Sequence, residues 1–140
     1  MAIKIYKVGT NKDFIIVKQQ KHNRRETLQG RYEQQMKKGV LEMLVLRQLF
    51  EEEKYGYQLI SELKEKSEGL FSLKEGTLYP ILYRLEDDGY IKSHWKEPTG
   101  RETSRKYYKI TESGKDALLE LNGLWQGFSC QISKMMEGIS

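Results

Sequence analysis

The chain has 140 residues and a mass of 16.5 kDa, enough for one domain with appendages and too little for two full domains. Its residues are 38% hydrophobic and 31% charged, mean hydropathy is −0.71, and no apolar run reaches the roughly 18 residues of a transmembrane helix. One cysteine, Cys130, excludes an internal disulfide and a cysteine-built zinc cluster, and two histidines 72 positions apart, His22 and His94, lend poor support to a metal site or a local catalytic motif.

Residues 1–32 carry eight Lys and Arg against Asp13 and Glu26, whereas residues 33–140 carry sixteen against eighteen acids. The pI of about 9.0 is therefore a property of the N-terminal tract. Nucleic-acid binding has to be argued from where charges sit, not from their total. The start, Met1-Ala2-Ile3-Lys4-Ile5, has neither the long apolar core nor the cleavage site of a secretory signal, so a cytoplasmic protein is expected. In the tract itself, Ile3, Ile5 and Phe14-Ile15-Ile16-Val17 flank Gly9 to Asp13, the pattern of a weak hairpin. The following Lys-Gln-Gln-Lys-His-Asn-Arg-Arg has no period. Two readings stand for 1–32. It is a flexible or artefactual basic extension, with Met36 as an alternative start, or it is an arm that adds non-specific phosphate contacts.

Val40, Leu41, Leu44, Val45, Leu49 and Phe50, widened by Met43 and Leu46, predict a first helix over 33–53, buried on two sides and ending in water at Glu51-Glu52-Glu53-Lys54. Gly56 opens a second helix, about 57–67, with Leu59, Ile60 and Leu63 inside and Gly69 as its cap. Leu78, Ile81, Leu82 and Leu85 follow i, i+3, i+4, i+7 and predict a third helix over Glu75 to Asp87, stopped by Gly89. Pro80 sits near its first turns, where a missing N–H costs least. Then the period becomes two. Ile91 and Trp95 share one face of a strand, Tyr108 and Ile110 share one face of the next, and Glu97 to Glu102 is turn chemistry. Thr111 caps a last helix with Glu112 in its first turn. Leu118, Leu121, Trp125, Phe128, Ile132, Met135 and Ile139 alternate spacings of three and four, a heptad seam that needs a partner surface.

Three helices followed by a hairpin define the expected fold class: mainly α with a small β-hairpin (α+β), a winged helix-turn-helix over 33–111 plus a C-terminal dimerisation helix over 112–140. The third helix turns one stripe inward and leaves Lys74, Thr77, Tyr79, Tyr83 and Arg84 outward, side chains able to reach base edges and phosphates from a major groove. Segment 92–109 sets Lys92, Lys96, Arg101, Arg105, Lys106 and Lys109 against Glu97 and Glu102, a local basic patch in an acidic domain.

These residues also carry a resemblance. The run from Glu75-Gly76-Thr77-Leu78-Tyr79-Pro80 through Tyr83-Arg84-Leu85-Glu86 to Gly89-Tyr90-Ile91 resembles the signature of PadR-type transcriptional regulators. Gly39-Val40-Leu41-Glu42-Met43-Leu44-Val45-Leu46, Tyr55-Gly56-Tyr57-Gln58-Leu59-Ile60 and the Arg105 to Gly114 junction are similar to the same family, and the match covers about residues 33–138. The resemblance implies a dimeric bacterial winged-helix regulator, usually a repressor, often released by a small aromatic or drug-like effector. The short chain after Gly114 resembles the small subgroup with a single C-terminal helix. Residues 1–32 have no counterpart in that pattern, and Tyr55 stands where the family often has His.

Each candidate DNA-binding residue has a plainer reading beside it. Tyr79 contacts DNA or is a partly buried core tyrosine; its offset from the Leu78 and Leu82 stripe and the resemblance favour DNA. Thr77 donates to a phosphate or helps start the helix. Lys74 contacts phosphate or is a solvated charge. Arg84 contacts phosphate or pairs with Asp87 or Asp88. Tyr57 touches phosphate or packs. Arg105 and Lys106, flanking the wing, read as phosphate contacts. Arg101, at the tip, enters a minor groove or is disordered. Leu118, Leu121, Trp125, Phe128 and Ile132 form the dimer seam, with Trp125 and Phe128 also candidates to line an effector pocket. Cys130 lies off the seam as an inert thiol.

The expected function is a dimeric sequence-specific transcriptional regulator binding double-stranded DNA at a pseudo-palindromic operator, with no cofactor, no metal and no membrane partner. The alternative is a winged-helix protein–protein interaction module without specific DNA binding. Enzyme motifs are absent: there is no Gly-x-Ser-x-Gly, phosphate loop or dinucleotide fingerprint.

Overall fold

The computed structural model describes the backbone of residues 2–8 and 13–19 and, in full, residues 27–97, 100 and 103–139. The chain divides into two compact units, Met1–Val40 and Leu41–Ser140.

In the first unit, β1 (Ala2–Val8) pairs antiparallel with β2 (Asp13–Gln19), Ile5 opposite Ile16, so the hairpin pattern forms a hairpin. Helix α1 (Leu28–Lys38) follows. Its cap is Thr27, whose Oγ1 accepts a hydrogen bond from the Gly30 N–H at 3.1 Å. The single helix expected over 33–53 is in fact two. A turn at Gly39-Val40 ends α1, and α2 (Leu41–Glu51) begins afresh. Glycine in a helix interior costs about 1 kcal/mol relative to alanine, which favours a break there. The apolar spacing runs on through the turn and hides it.

The second unit holds the core. Leu41, Val45, Leu46 and Leu49 of α2 are buried, and α2 packs against α3 (Gly56–Lys66), α4 (Glu75–Asp87), β5 (Arg105–Ile110) and α5 (Glu112–Met135). These neighbours within one chain account for the breadth of its apolar surface. Phe50, counted in the stripe, is instead half exposed.

The chain does not end in water after Glu51. Lys54 is fully buried, and with Tyr55 it forms a short strand, β3 (Lys54–Tyr55), beside β5. Its ammonium reaches the Glu62 and Glu51 carboxylates at 2.5 and 3.3 Å. Lys66 bridges Glu51 and Gln48 at 2.9 and 2.8 Å. Burial alone would lower the Lys54 pKa, but Glu62 and Glu51 together outweigh it and raise it. Lys66 and then Lys54 pull Glu51 down to about 2.

Helix α3 buries Leu59 and Leu63, and its end is closed as expected: Gly69, at φ +86°, donates its N–H to the Lys64 carbonyl at 2.8 Å. Helix α4 has the expected bounds and buries the expected four residues, Leu78, Ile81, Leu82 and Leu85. Strand β4 (Ile91–Lys96) pairs with β5, giving a three-stranded antiparallel sheet in the order β3-β5-β4.

Thr111 joins wing to last helix. Its Oγ1 donates to the Gly89 carbonyl at 2.7 Å and accepts from the Gly114 N–H at 3.0 Å. Gly114 lies so close to the Tyr90 carbonyl that a Cβ would overlap it, which requires glycine at this position. Leu118 is buried in the core of its own chain and Leu121 packs against it, so the first two seam positions already have partners. Helix α5 stops at Met135, and Ile139 falls beyond it.

Candidate nucleic-acid interface

Helix α4 uses one stripe for the core, and the opposite face is left to solvent. Lys74, its N-cap residue, is exposed, as are Thr77, Tyr79, Tyr83 and Arg84. Tyr79 is 45% exposed and Tyr83 75%. Pro80 lies on the same open side, where the carbonyl its ring leaves unpaired can be hydrated.

The alternation of β5 splits the wing cations. Tyr108 and Ile110 are buried, so Lys106 shares their inward side, and Arg105, Tyr107 and Lys109 lie on the outer side. Two open grooves of about 520 and 490 Å³ run between α4 and the sheet, and Tyr79, Lys106 and Tyr108 line both. Trp95, opposite Lys106 in the ladder and 67% exposed, borders the second. Burial raises the Tyr108 pKa, with Tyr79 and Glu86 adding to it, so its phenol stays neutral at physiological pH. The half-buried Lys106 and Tyr79 thus border both grooves, with Tyr83, Glu86 and Asp87 at the first and the exposed indole of Trp95 at the second.

The outer face of the sheet is chemically different. Arg105 lies over the Tyr55 ring at 4.5 Å, Tyr55 meets Tyr107 edge-on at 5.4 Å, and His94 stacks on Tyr107 at 6.1 Å. Lys96 lies over Tyr107 at 4.1 Å and pairs with Glu53, whose other oxygen is 2.7 Å from His94 Nε2. The Lys96 and His94 hydrogen bonds hold the Glu53 carboxyl below its ordinary range.

The expected DNA residues thus have definite places. Lys74, Thr77 and Tyr79 share the open side of α4. Tyr57, 68% exposed on α3, borders the same cleft as Arg105 and Lys106. Arg84 does not pair with Asp87 or Asp88. Its Nε bonds to Glu42 on α2 at 3.0 Å, a brace between helices. Arg101 lies outside the described residues. The seam residues Trp125, Phe128 and Ile132 are 47%, 59% and 57% exposed. Sequence reasoning did not single out Trp95 or Tyr55, which the structure places at the second groove. The Ile91–Trp95 alternation was the available signal for the first. The two-residue strand that seats the second has no period to read.

Helix-turn-helix, wing and an open helix face flanked by cations define a winged-helix protein of the DNA-binding regulator class. Residues 45–120 match the Transcriptional regulator PadR-like family, and the chain belongs to it. A PadR family transcriptional regulator from Eggerthella lenta is 33% identical, with a TM-score of 0.69 over 77% of this chain and 91% of that one. A transcriptional regulator from Clostridium thermocellum is 31% identical, TM-score 0.68, over 74% and 99%. The negative transcriptional regulator PadR of Bacillus subtilis is 34% identical over 79 residues, 56% of this chain and 43% of that protein. The family consists of DNA-binding transcriptional regulators rather than enzymes. Among the described residues no helix is long and apolar enough to cross a membrane.

Proposed function

We propose that the protein is a homodimeric repressor that reads a pseudo-palindromic operator through α4 and its wing, and that a small planar aromatic effector releases it. The observation that carries the DNA reading is the cleft in which Tyr79 of α4 and Lys106 of β5 stand together at the open face of the helix. Lys74, Thr77, Tyr57, Arg105 and Lys106 supply phosphate contacts around it, and Tyr79 works at the bases or backbone. The Bacillus subtilis relative is named a negative regulator, which supports repression.

The dimer reading rests on the second half of α5. Trp125, Phe128, Ile132 and Met135 continue the heptad spacing, and their own chain leaves them largely uncovered. A two-fold seam there sets the two α4 helices in successive major grooves, roughly 34 Å apart. The two Trp125 rings come close to the axis, where a gap would accept a flat apolar molecule. Such a ligand changes the spacing of the α4 pair and releases DNA only by its differential affinity for the two dimer shapes. The protein works in the cytoplasm.

The test is selection of duplexes from a random pool by the full chain, with sedimentation of the complex. Enrichment of an inverted repeat bound by two copies is expected. Recovery of no preferred duplex by a folded chain would favour the protein-interaction reading instead. Planar aromatics are expected to quench Trp125 fluorescence in a Trp95→Phe background and to weaken operator binding.

A further inference from the structure

In the motif Tyr55-Gly56-Tyr57 both tyrosines border the second groove, and the glycine between them borders it too. Gly56 is the first residue of α3 and is buried. Its backbone does not demand glycine, because among the described residues the positive-φ glycines are Gly69, Gly89, Gly100 and Gly138. Helix propensity argues against it, since alanine is the better former. The reason lies in what stands over it. A Cβ at position 56 would lie 2.5 Å from the Tyr79 hydroxyl oxygen, 3.0 Å from Cζ and 3.3 Å from Cε1. The outer end of the Tyr79 ring thus sits in the space that any other residue would fill.

That contact is not ordinary core packing. Tyr79 lies beside the buried stripe of α4 and keeps 45% of its surface open, while the tip of its ring is pressed against the start of another helix. The ring borders both grooves between α4 and the wing, so its angle sets what α4 presents there. A tyrosine on an exposed helix face would otherwise exchange between rotamers, and fixing it beforehand removes that ordering cost from binding.

We propose that Gly56 is a positioning residue for DNA reading: the missing Cβ at the start of α3 is the notch that holds Tyr79 at the angle with which α4 meets a duplex. The inference rests on the DNA reading above and assigns the helix-turn-helix a device within it. Gly56 makes no DNA contact; it acts through Tyr79.

The experiment is a double-mutant cycle on the full chain. The probe is a duplex enriched from a random pool by the wild type, with a scrambled duplex as reference. Gly56→Ala is expected to lower the ratio of the two affinities by about tenfold, the scale of one misread base pair, with the salt slope unchanged. In a Tyr79→Ala background the same substitution is expected to change the ratio less than about twofold, because the ring that needs the notch is gone. An unchanged ratio in Gly56→Ala, or an equal loss in both backgrounds, would overturn the proposal. If Gly56→Ala alone fails to fold, Tyr79→Phe supplies the background, since it lacks the atom at 2.5 Å. The double variant should then fold and lose about threefold in the ratio relative to Tyr79→Phe, and no loss would again overturn the proposal. A wild type that binds both duplexes equally would instead sink the DNA reading itself, a result distinct from any of these.

Discussion

The two faces of the small sheet carry the same kinds of residue and put them to different use. On the outer face, Lys96 and His94 share the Glu53 carboxylate and crowd Tyr107, so the Lys96 charge is already balanced within the protein. On the inner face, Lys106 has no carboxylate partner among the described residues and opens towards Tyr79. Counting wing cations along the sequence treats Lys96 and Lys106 as equal. Strand alternation and one glutamate make them unequal, and only the free one can release counterions from DNA at full effect. Arg105 lies on the outer side of β5 yet borders the second groove beside Lys106, and it stacks on a neutral ring with no carboxylate partner among the described residues.

The sharpest way to break this comparison is to remove one aromatic from each side. Tyr79→Ala on the inner side is expected to weaken binding to a selected duplex by about 10–100-fold, or about 1–3 kcal/mol, with little change on random sequence. Tyr107→Ala on the outer side is expected to leave that discrimination intact. Competition titrations with the two duplexes measure both. Equal losses would mean that the faces do not divide the work.

A second change attacks the buried ion cluster beneath the short strand β3. Lys54→Met keeps an apolar chain under β3 but leaves Glu62 and Glu51 without their buried partner. A loss of about 1–3 kcal/mol in urea unfolding is expected, with the salt slope of DNA binding unaltered. The same cluster sets an acid limit. Glu51 titrates at about 2 in the fold against an ordinary 4.5. Its stabilisation is complete above the ordinary value and is lost as pH falls towards 2. Acid titration of Glu51→Gln should lack that component.

The smallest effect is the most specific. Glu53→Gln frees Lys96 and His94 without touching the inner cleft. At neutral pH it should steepen the salt dependence by at most about one unit and strengthen binding to all sequences alike. A change in sequence preference would contradict the assignment of Glu53 to charge balance.

Much of this was legible beforehand because the signals were local and periodic. The stripe of α4, the stop at Gly89, the two-residue period of the wing and the Thr111 cap each depend on neighbours a few positions away. What escaped depends on distant partners. Lys54 reads as a solvated charge until Glu62 and the edge of β5 enclose it. Arg84 has acids three and four positions on, yet it bonds to Glu42, 42 residues earlier in the chain. Leu118 and Leu121 fit a heptad seam, but a spacing of three and four cannot say which surface they meet, and here it is the core of their own chain. Gly56 gave no sequence signal for its contact with Tyr79, since a close approach appears only when α3 and α4 are assembled.

The central claim is that the inner cleft, rather than the wing's charge as a whole, meets the duplex. Its most direct test is the slope of log affinity against log salt on one selected duplex for Lys106→Ala and Lys96→Ala side by side. Lys106→Ala should lower the magnitude of the slope by about one unit, and Lys96→Ala should leave it close to the wild type. Equal reductions, or a larger one for Lys96→Ala, would contradict the account.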